Sequence, residues 1–161
     1  MGIQSSINQG LSIASLLIHT SPAVKAHAEN VAATKAFEKG QKGFEKQTGI
    51  LSEEYKKTSS GTRPRTLEGK IQKQEALTGI EQKKIDVAEK QINALEAEFE
   101  RNPSADLRNK INDLKKDITK STQKISKLDI AKSKAQDSLR LNQELDAELA
   151  EIRKMLNGSD K

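Results

Sequence analysis

Apolar residues in this chain recur at steps of three and four over long distances. Leu67, Ile71, Ile85, Ala88, Ile92, Leu95 and Phe99 occupy a and d positions of one heptad frame. Leu107, Ile111, Leu114, Ile118, Ile125, Leu128, Ala135 and Leu139 form a second unbroken stripe of the same kind. Between the stripes, Asn102-Pro103-Ser104 predicts a stop and a restart. Asn102 is the expected N-cap, Pro103 the first residue of the next helix, and Asp106 suits its positive first turn. Folded about this bend, the stripes come into register: Phe99 opposite Leu107, Leu95 opposite Ile111, Ile92 opposite Leu114, Ala88 opposite Ile118, Ile71 opposite Ala135. In every pair the residue numbers add to the same total, as antiparallel a-to-d pairing requires. The pattern predicts an antiparallel coiled-coil hairpin over 67–157, with its turn at 101–105 and a tail at 158–161. Its interface is expected on Ile85, Ile92, Leu95, Phe99, Leu107, Ile111, Leu114 and Ile118.

The middle of that hairpin is poorer. Ile85 faces Ser121, Glu81 faces Ile125, Thr78 faces Leu128 and Gln74 faces Lys132. Each buried aliphatic side chain contributes about 1.5–3 kcal/mol before ordering entropy is subtracted, so polar layers leave the hairpin marginal by itself. Leu77, Ile80 and Val87 form an offset stripe that this seam does not use. Beyond Leu139 the frame shifts to Leu145, Leu149, Ile152 and Leu156, where the hairpin partner has run out. Both features require a further helix, supplied either by the region upstream or by a second copy of the chain. Asn157-Gly158 is the expected cap at the far end.

Upstream, Pro22 after Thr20-Ser21 predicts a helix start with Ser21 as cap, and an Ala-rich helix is expected over 21–57. Its apolar markers are sparse: Val24, Ala28, Val31, then Phe37, Phe44 and Leu51 at heptad spacing. Gly40, Gly43 and Gly49 weaken it, each by about 1 kcal/mol against Ala. TSSGTRPR predicts a hinge loop over 58–66. At the N-terminus, over 1–20, Ile3, Ile7, Leu11, Ala14 and Ile18 share one helical face, widened by Leu16 and Leu17. Ser, Gln and Asn occupy much of the opposite face, and no charged side chain appears before Lys25. Three uses of the face formed by Ile3, Ile7, Leu11, Ala14, Leu17 and Ile18 remain open. It can pack on the bundle, associate with a membrane, or dock in a groove of a larger protein. The expected fold class is all-α, extended or a small bundle.

Composition agrees with an extended helical chain. Of 161 residues, 34% are hydrophobic, 32% charged and 2% aromatic, too little for a core built on large rings. With no Cys there is neither disulfide framework nor cysteine nucleophile, which suits a reducing compartment. No secretory signal or membrane-spanning stretch is expected, because polar residues interrupt the apolar N-terminus and a basic n-region is missing. The net charge of +5 favours weak, salt-sensitive attraction to polyanions.

Candidate chemistry is thin. Lys115, Lys116, Lys120, Lys124, Lys127, Lys132 and Lys134 make a basic stretch broken only by Asp117 and Asp129. It reads either as a solvated helix flank or, through Lys116, Lys120, Lys124 and Lys127, as a set of non-specific phosphate contacts. No aromatic interleaves these lysines, so base stacking is not expected. The acidic residues Glu144, Asp146, Glu148 and Glu151 could pair with them between copies. Met1-Gly2-Ile3-Gln4-Ser5-Ser6 fits the N-myristoylation pattern, which is short enough to arise by accident. His19 and His27 lack carboxylates at metal-site spacing, and no phosphate-binding loop, nucleophile elbow or HExxH motif occurs. No catalytic residue, metal, cofactor or small-molecule substrate is expected.

The order of parts resembles a known group of proteins. A charge-free Ile/Gly/Ser start, the segment AVKAHAENVAATKAFEKGQKG and a long Lys/Glu/Gln coiled coil resemble, in architecture, the DNA pilot and other minor virion proteins of small bacteriophages. The resemblance implies a virion location and a coiled-coil body. It also implies an apolar N-terminal segment that engages the host membrane during genome delivery. This chain departs from the group in lacking a Gly-rich N-terminal run, and its hairpin departs from a tube of parallel, uninterrupted helices. The expectation is a non-enzymatic minor virion protein acting in genome delivery or packaging, as a homo-oligomer or bound to a larger structural protein. The alternative is a cytoplasmic coiled-coil adaptor or assembly scaffold.

Overall fold

A computed structural model describes residues 22–159. The protein is all-α, with three helices in the order α1 (Pro22–Ser59), α2 (Leu67–Arg101) and α3 (Ala105–Ser159). The N-terminal face from Ile3 to Ile18, His19, the Ser21 cap and the Met1–Ser6 pattern lie outside the described residues.

Local chemistry sets the helix ends. Pro22 opens α1, and the Lys56 carbonyl closes it by accepting from the Ser60 amide at 2.9 Å and the Ser60 hydroxyl at 2.6 Å. Lys56 and Lys57 sit in the last turn, where positive charge suits the helix dipole. Thr66 is the N-cap of α2 and accepts from the Gly69 amide at 3.0 Å. The expected hinge is therefore shorter than 58–66: Thr58 and Ser59 are the last residues of α1. At the other end α3 runs through Asn157 and Gly158 to Ser159, so this pair does not cap it.

The turn corrects the assignment made from sequence. Asn102 ends α2, its amide donating to the Glu98 carbonyl at 2.7 Å, instead of starting α3. Ser104 takes that role, its hydroxyl accepting from the Leu107 amide at 3.1 Å, and Pro103 lies between the two helices. The physical reason is that the Asn102 side chain is already bonded to α1 and to Glu98, as described below.

About the turn, α2 and α3 pack side by side as a hairpin. The core is a cluster of Ile92, Leu95, Leu107 and Ile111, with Phe99, Leu114, Ile118 and Phe37 of α1 against it. Ile85 and Ala135 are also buried, and Lys132 reaches Glu75 at 3.2 Å, which continues the register toward the open end. The offset stripe finds its partner in the same chain. Leu77 and Ile80 are buried on α2, and Val87 lines a shallow groove with Gln47, Ile50 and Leu51 of α1.

A second register runs between α1 and α2. Asn30 bonds Asn102, Thr34 bonds Glu98, Gln41 bonds Gln91, and Lys73 donates to the Ser59 carbonyl. These residue numbers again add to one constant total, so α1 follows α2 antiparallel along its length. The two seams share a row on α2, namely Leu95, Ala88, Glu81 and Gln74 at heptad spacing. Leu95 and Glu81 in this row are both 0% exposed. The backbones of α1 and α3 stay apart, each packing on α2.

Candidate functional site

Two polar clusters lie along the α1–α2 seam. At the turn end, the side-chain amide of Asn102 donates to Asn30 Oδ1 (3.2 Å), Thr34 Oγ1 (3.1 Å) and Glu98 Oε1 (3.0 Å). Asn30 donates back to Asn102 Oδ1 at 3.0 Å, and Thr34 donates to Glu98 Oε1 at 2.9 Å. Arg101 closes the cluster with a salt bridge to the other Glu98 oxygen. Burial pushes the Glu98 carboxyl up, but the hydrogen bonds from Asn102, Thr34 and Arg101, together with the Arg101 charge, outweigh it. The net effect holds Glu98 below the usual carboxylate range.

At mid-rod, Glu81 is fully buried and faces two ammonium groups, Lys84 at 3.4 Å and Lys124 at 3.7 Å. Both cations also sit over the Tyr55 ring, at 5.2 and 5.1 Å from its centre. One carboxylate and one ring thus draw a lysine from α2 and a lysine from α3 toward α1. Glu81 Oε2 has no hydrogen-bond partner, so the arrangement joins three helices without satisfying every polar atom.

The expected interface residues all lie in the bundle. Ile85, Ile92, Leu95, Leu107 and Ile111 are buried, and Phe99, Leu114 and Ile118 are half-buried around them. The four lysines proposed as phosphate contacts divide. All four are exposed on α3, but Lys124 is also engaged with Glu81 and Tyr55. Lys120 and Lys124 rim a groove of about 220 Å³ between α1 and α3, with Thr48 and Ser52 opposite and Ile85, Ala88 and Ile118 among its lining. Periodicity of apolar residues missed the polar seam. Asn30, Thr34, Phe37, Gln41, Phe44, Thr48, Leu51 and Tyr55 keep a three–four spacing, a signal visible only when polar residues are admitted to the stripe.

Past Leu139, α3 leaves the bundle. Leu141, Leu145, Leu149, Ile152, Met155 and Leu156 are each at least half exposed, from 51% at Ile152 to 70% at Met155. Among the described residues no cluster of His, Cys, Asp or Glu is arranged to hold a metal ion. Nor is any described helix long and apolar enough to cross a membrane.

These features define a class: an all-α helical rod that presents surfaces along its length. Comparison with known protein families, with characterised proteins and with solved structures finds no match to this chain.

Proposed function

We propose that this chain is a non-enzymatic structural protein, acting as a minor component of a phage virion in genome delivery or packaging. The observation that carries the reading is α3. It is a single 55-residue helix, about 80 Å long at 1.5 Å per residue, with exposed lysines at mid-length and an uncovered apolar end. Such a rod offers extended contact surfaces to large partners. The virion assignment itself rests on the architectural resemblance to pilot proteins. The charge-free segment around Ile3, Ile7, Leu11 and Ile18 would supply the membrane contact.

One observation favours the second reading, a cytoplasmic coiled-coil adaptor or scaffold. Lys124 and Lys132 pair with Glu81 and Glu75 inside the molecule, leaving fewer lysines for a polyanion. The two readings separate by DNA binding and by liposome leakage. The virion reading expects salt-sensitive DNA binding, and Lys116→Glu, Lys120→Glu and Lys127→Glu together should reduce the salt slope by about two to three. It also expects leakage that Leu11→Asp with Leu17→Asp abolishes. Absence of both activities sinks it in favour of the adaptor.

A further inference from the structure

We propose that the overhang of α3, residues 140–159, is a tail-to-tail docking surface for a second copy of this chain, paired antiparallel. The inference depends on the rod geometry and is independent of the virion reading. Its starting point is a helix end with six large apolar side chains at least half exposed, whereas among the described residues the aliphatic layers between α2 and α3 near the turn are buried. A contiguous apolar face of this kind marks an interaction surface.

Geometry removes the occupant nearest to hand. Asn30 sits at Asn102, so α1 begins beyond the turn, at the opposite end of the rod from the overhang. From Pro22 to the level of Leu145 is about 70 Å at helical rise. Residues 1–21 as a helix would span about 30 Å, and fully extended about 70 Å, so they cannot lie along the overhang of their own chain.

The overhang is complementary to itself. Leu145, Leu149, Ile152 and Leu156 follow steps of four, three and four, which makes them d, a, d and a of one heptad frame. Antiparallel pairing of a with d puts Leu145 against Leu156 of the second copy and Leu149 against Ile152, and the two-fold axis repeats both layers. In that register the flanking e positions pair Asp146 with Arg153 of the other copy, again twice. Asp146 and Glu148 then lie alongside the basic end, Arg153 and Lys154, of the other copy. A parallel pair would instead stack the acidic runs of two copies at one level. The same register sets residue 159 of one copy opposite Asn142 of the other. This is one turn from Leu139, where Leu67 begins α2 as the existing antiparallel neighbour. The second copy therefore begins along α3 where α2 ends, on a face turned from the α2 seam by the frame shift after Leu139, and does not compete with α2.

Sedimentation of the full chain tests the pairing. The wild type is expected to double its mass as concentration rises, and Leu149→Asp with Ile152→Asp should leave a monomer of unchanged helicity, since neither residue belongs to the bundle. Asp146→Arg alone and Arg153→Asp alone should each weaken the dimer about tenfold by setting like charges together, and an equimolar mixture of the two should recover it. Because the chain has no Cys, Leu145→Cys mixed with Leu156→Cys should give the mixed disulfide. A dominant Leu145→Cys homodisulfide means parallel pairing and overturns the proposal, as does a chain that stays monomeric up to its solubility limit or a dimer indifferent to the aspartates.

Discussion

Glu98 shows how a single side chain couples α1 to the hairpin. It is 3% exposed, and its net shift is downward despite burial because Asn102, Thr34 and Arg101 all donate to it. A carboxyl whose folded-state pKa lies below its unfolded value adds stability that is complete above the unfolded pKa. That stability is lost as pH falls through the folded one. Wild type should therefore exceed Glu98→Gln in stability at neutral pH by about 1–3 kcal/mol. Thermal melts of the two proteins should converge on acidification below the carboxylate range; a gap that stays constant would contradict the assignment. Glu81 is less completely hydrogen-bonded than Glu98. It occupies the row shared by both seams, between Leu51 on α1 and Ile125 on α3, and one of its oxygens lacks a partner. Replacing a whole buried ion pair with apolar residues is often neutral or stabilising, by about 1–4 kcal/mol, whereas removing one partner leaves the other charge uncompensated. Glu81→Leu alone is expected to lower the melting temperature, because Lys84, whose side chain is 18% exposed, loses its counter-charge, and Glu81→Leu with Lys84→Met should recover it. A melting temperature raised by Glu81→Leu alone would show that desolvation of the carboxylate outweighs the pairs.

Helix α1 has no fully buried residue and carries three glycines, Gly40, Gly43 and Gly49, around which a Cβ would meet open space. No glycine described has positive φ, so their cost is purely the flexibility they lend the unfolded chain. Gly43→Ala on α1 and Gly79→Ala on α2 should each stabilise by about 0.5–1 kcal/mol in chemical denaturation. Gly69→Ala should act in the other direction by about 1 kcal/mol, because its Cβ would lie 3.0 Å from Thr66 Oγ1 and 3.1 Å from Pro64 Cβ and disturb the cap of α2. The hairpin was legible in the sequence because its layers near the turn are aliphatic and their spacing is unbroken. The position of α1 was not, since Asn30, Thr34 and Gln41 specify it by hydrogen bonds that hydrophobic periodicity ignores. The turn misled for a related reason. Asn102-Pro103 has the composition of a helix start, yet the Asn102 amide is drawn away by Asn30, Thr34 and Glu98.

At the scale of the molecule, the stripe Leu77, Ile80 and Val87 already signalled a third helix, and α1 meets that need. The frame shift at Leu145, Leu149, Ile152 and Leu156 signalled another partner, and these side chains are at least half exposed. Sequence reasoning could see that Lys116, Lys120, Lys124 and Lys127 share a helical face. It could not see that Lys124, though half exposed, is paired within the molecule, because the carboxylate and ring that attract it, Glu81 and Tyr55, come from two other helices. Function is less legible than shape for a physical reason. A rod acts through broad surfaces with loose residue requirements, whereas a catalytic site constrains a few residues tightly.

Sharing one row of α2 between two seams has a bearing on how this chain can change length. Inserting a single residue between Leu77 and Leu95 would rotate everything beyond it by about 100° and misalign both neighbours at once. Only whole multiples of seven, matched in α1 and α3, would keep Leu95, Ala88, Glu81 and Gln74 facing inward. The stretch after Leu139 answers to neither neighbour. Lengthening should therefore be stepwise and coordinated in one part of the rod and unconstrained by the bundle in the other.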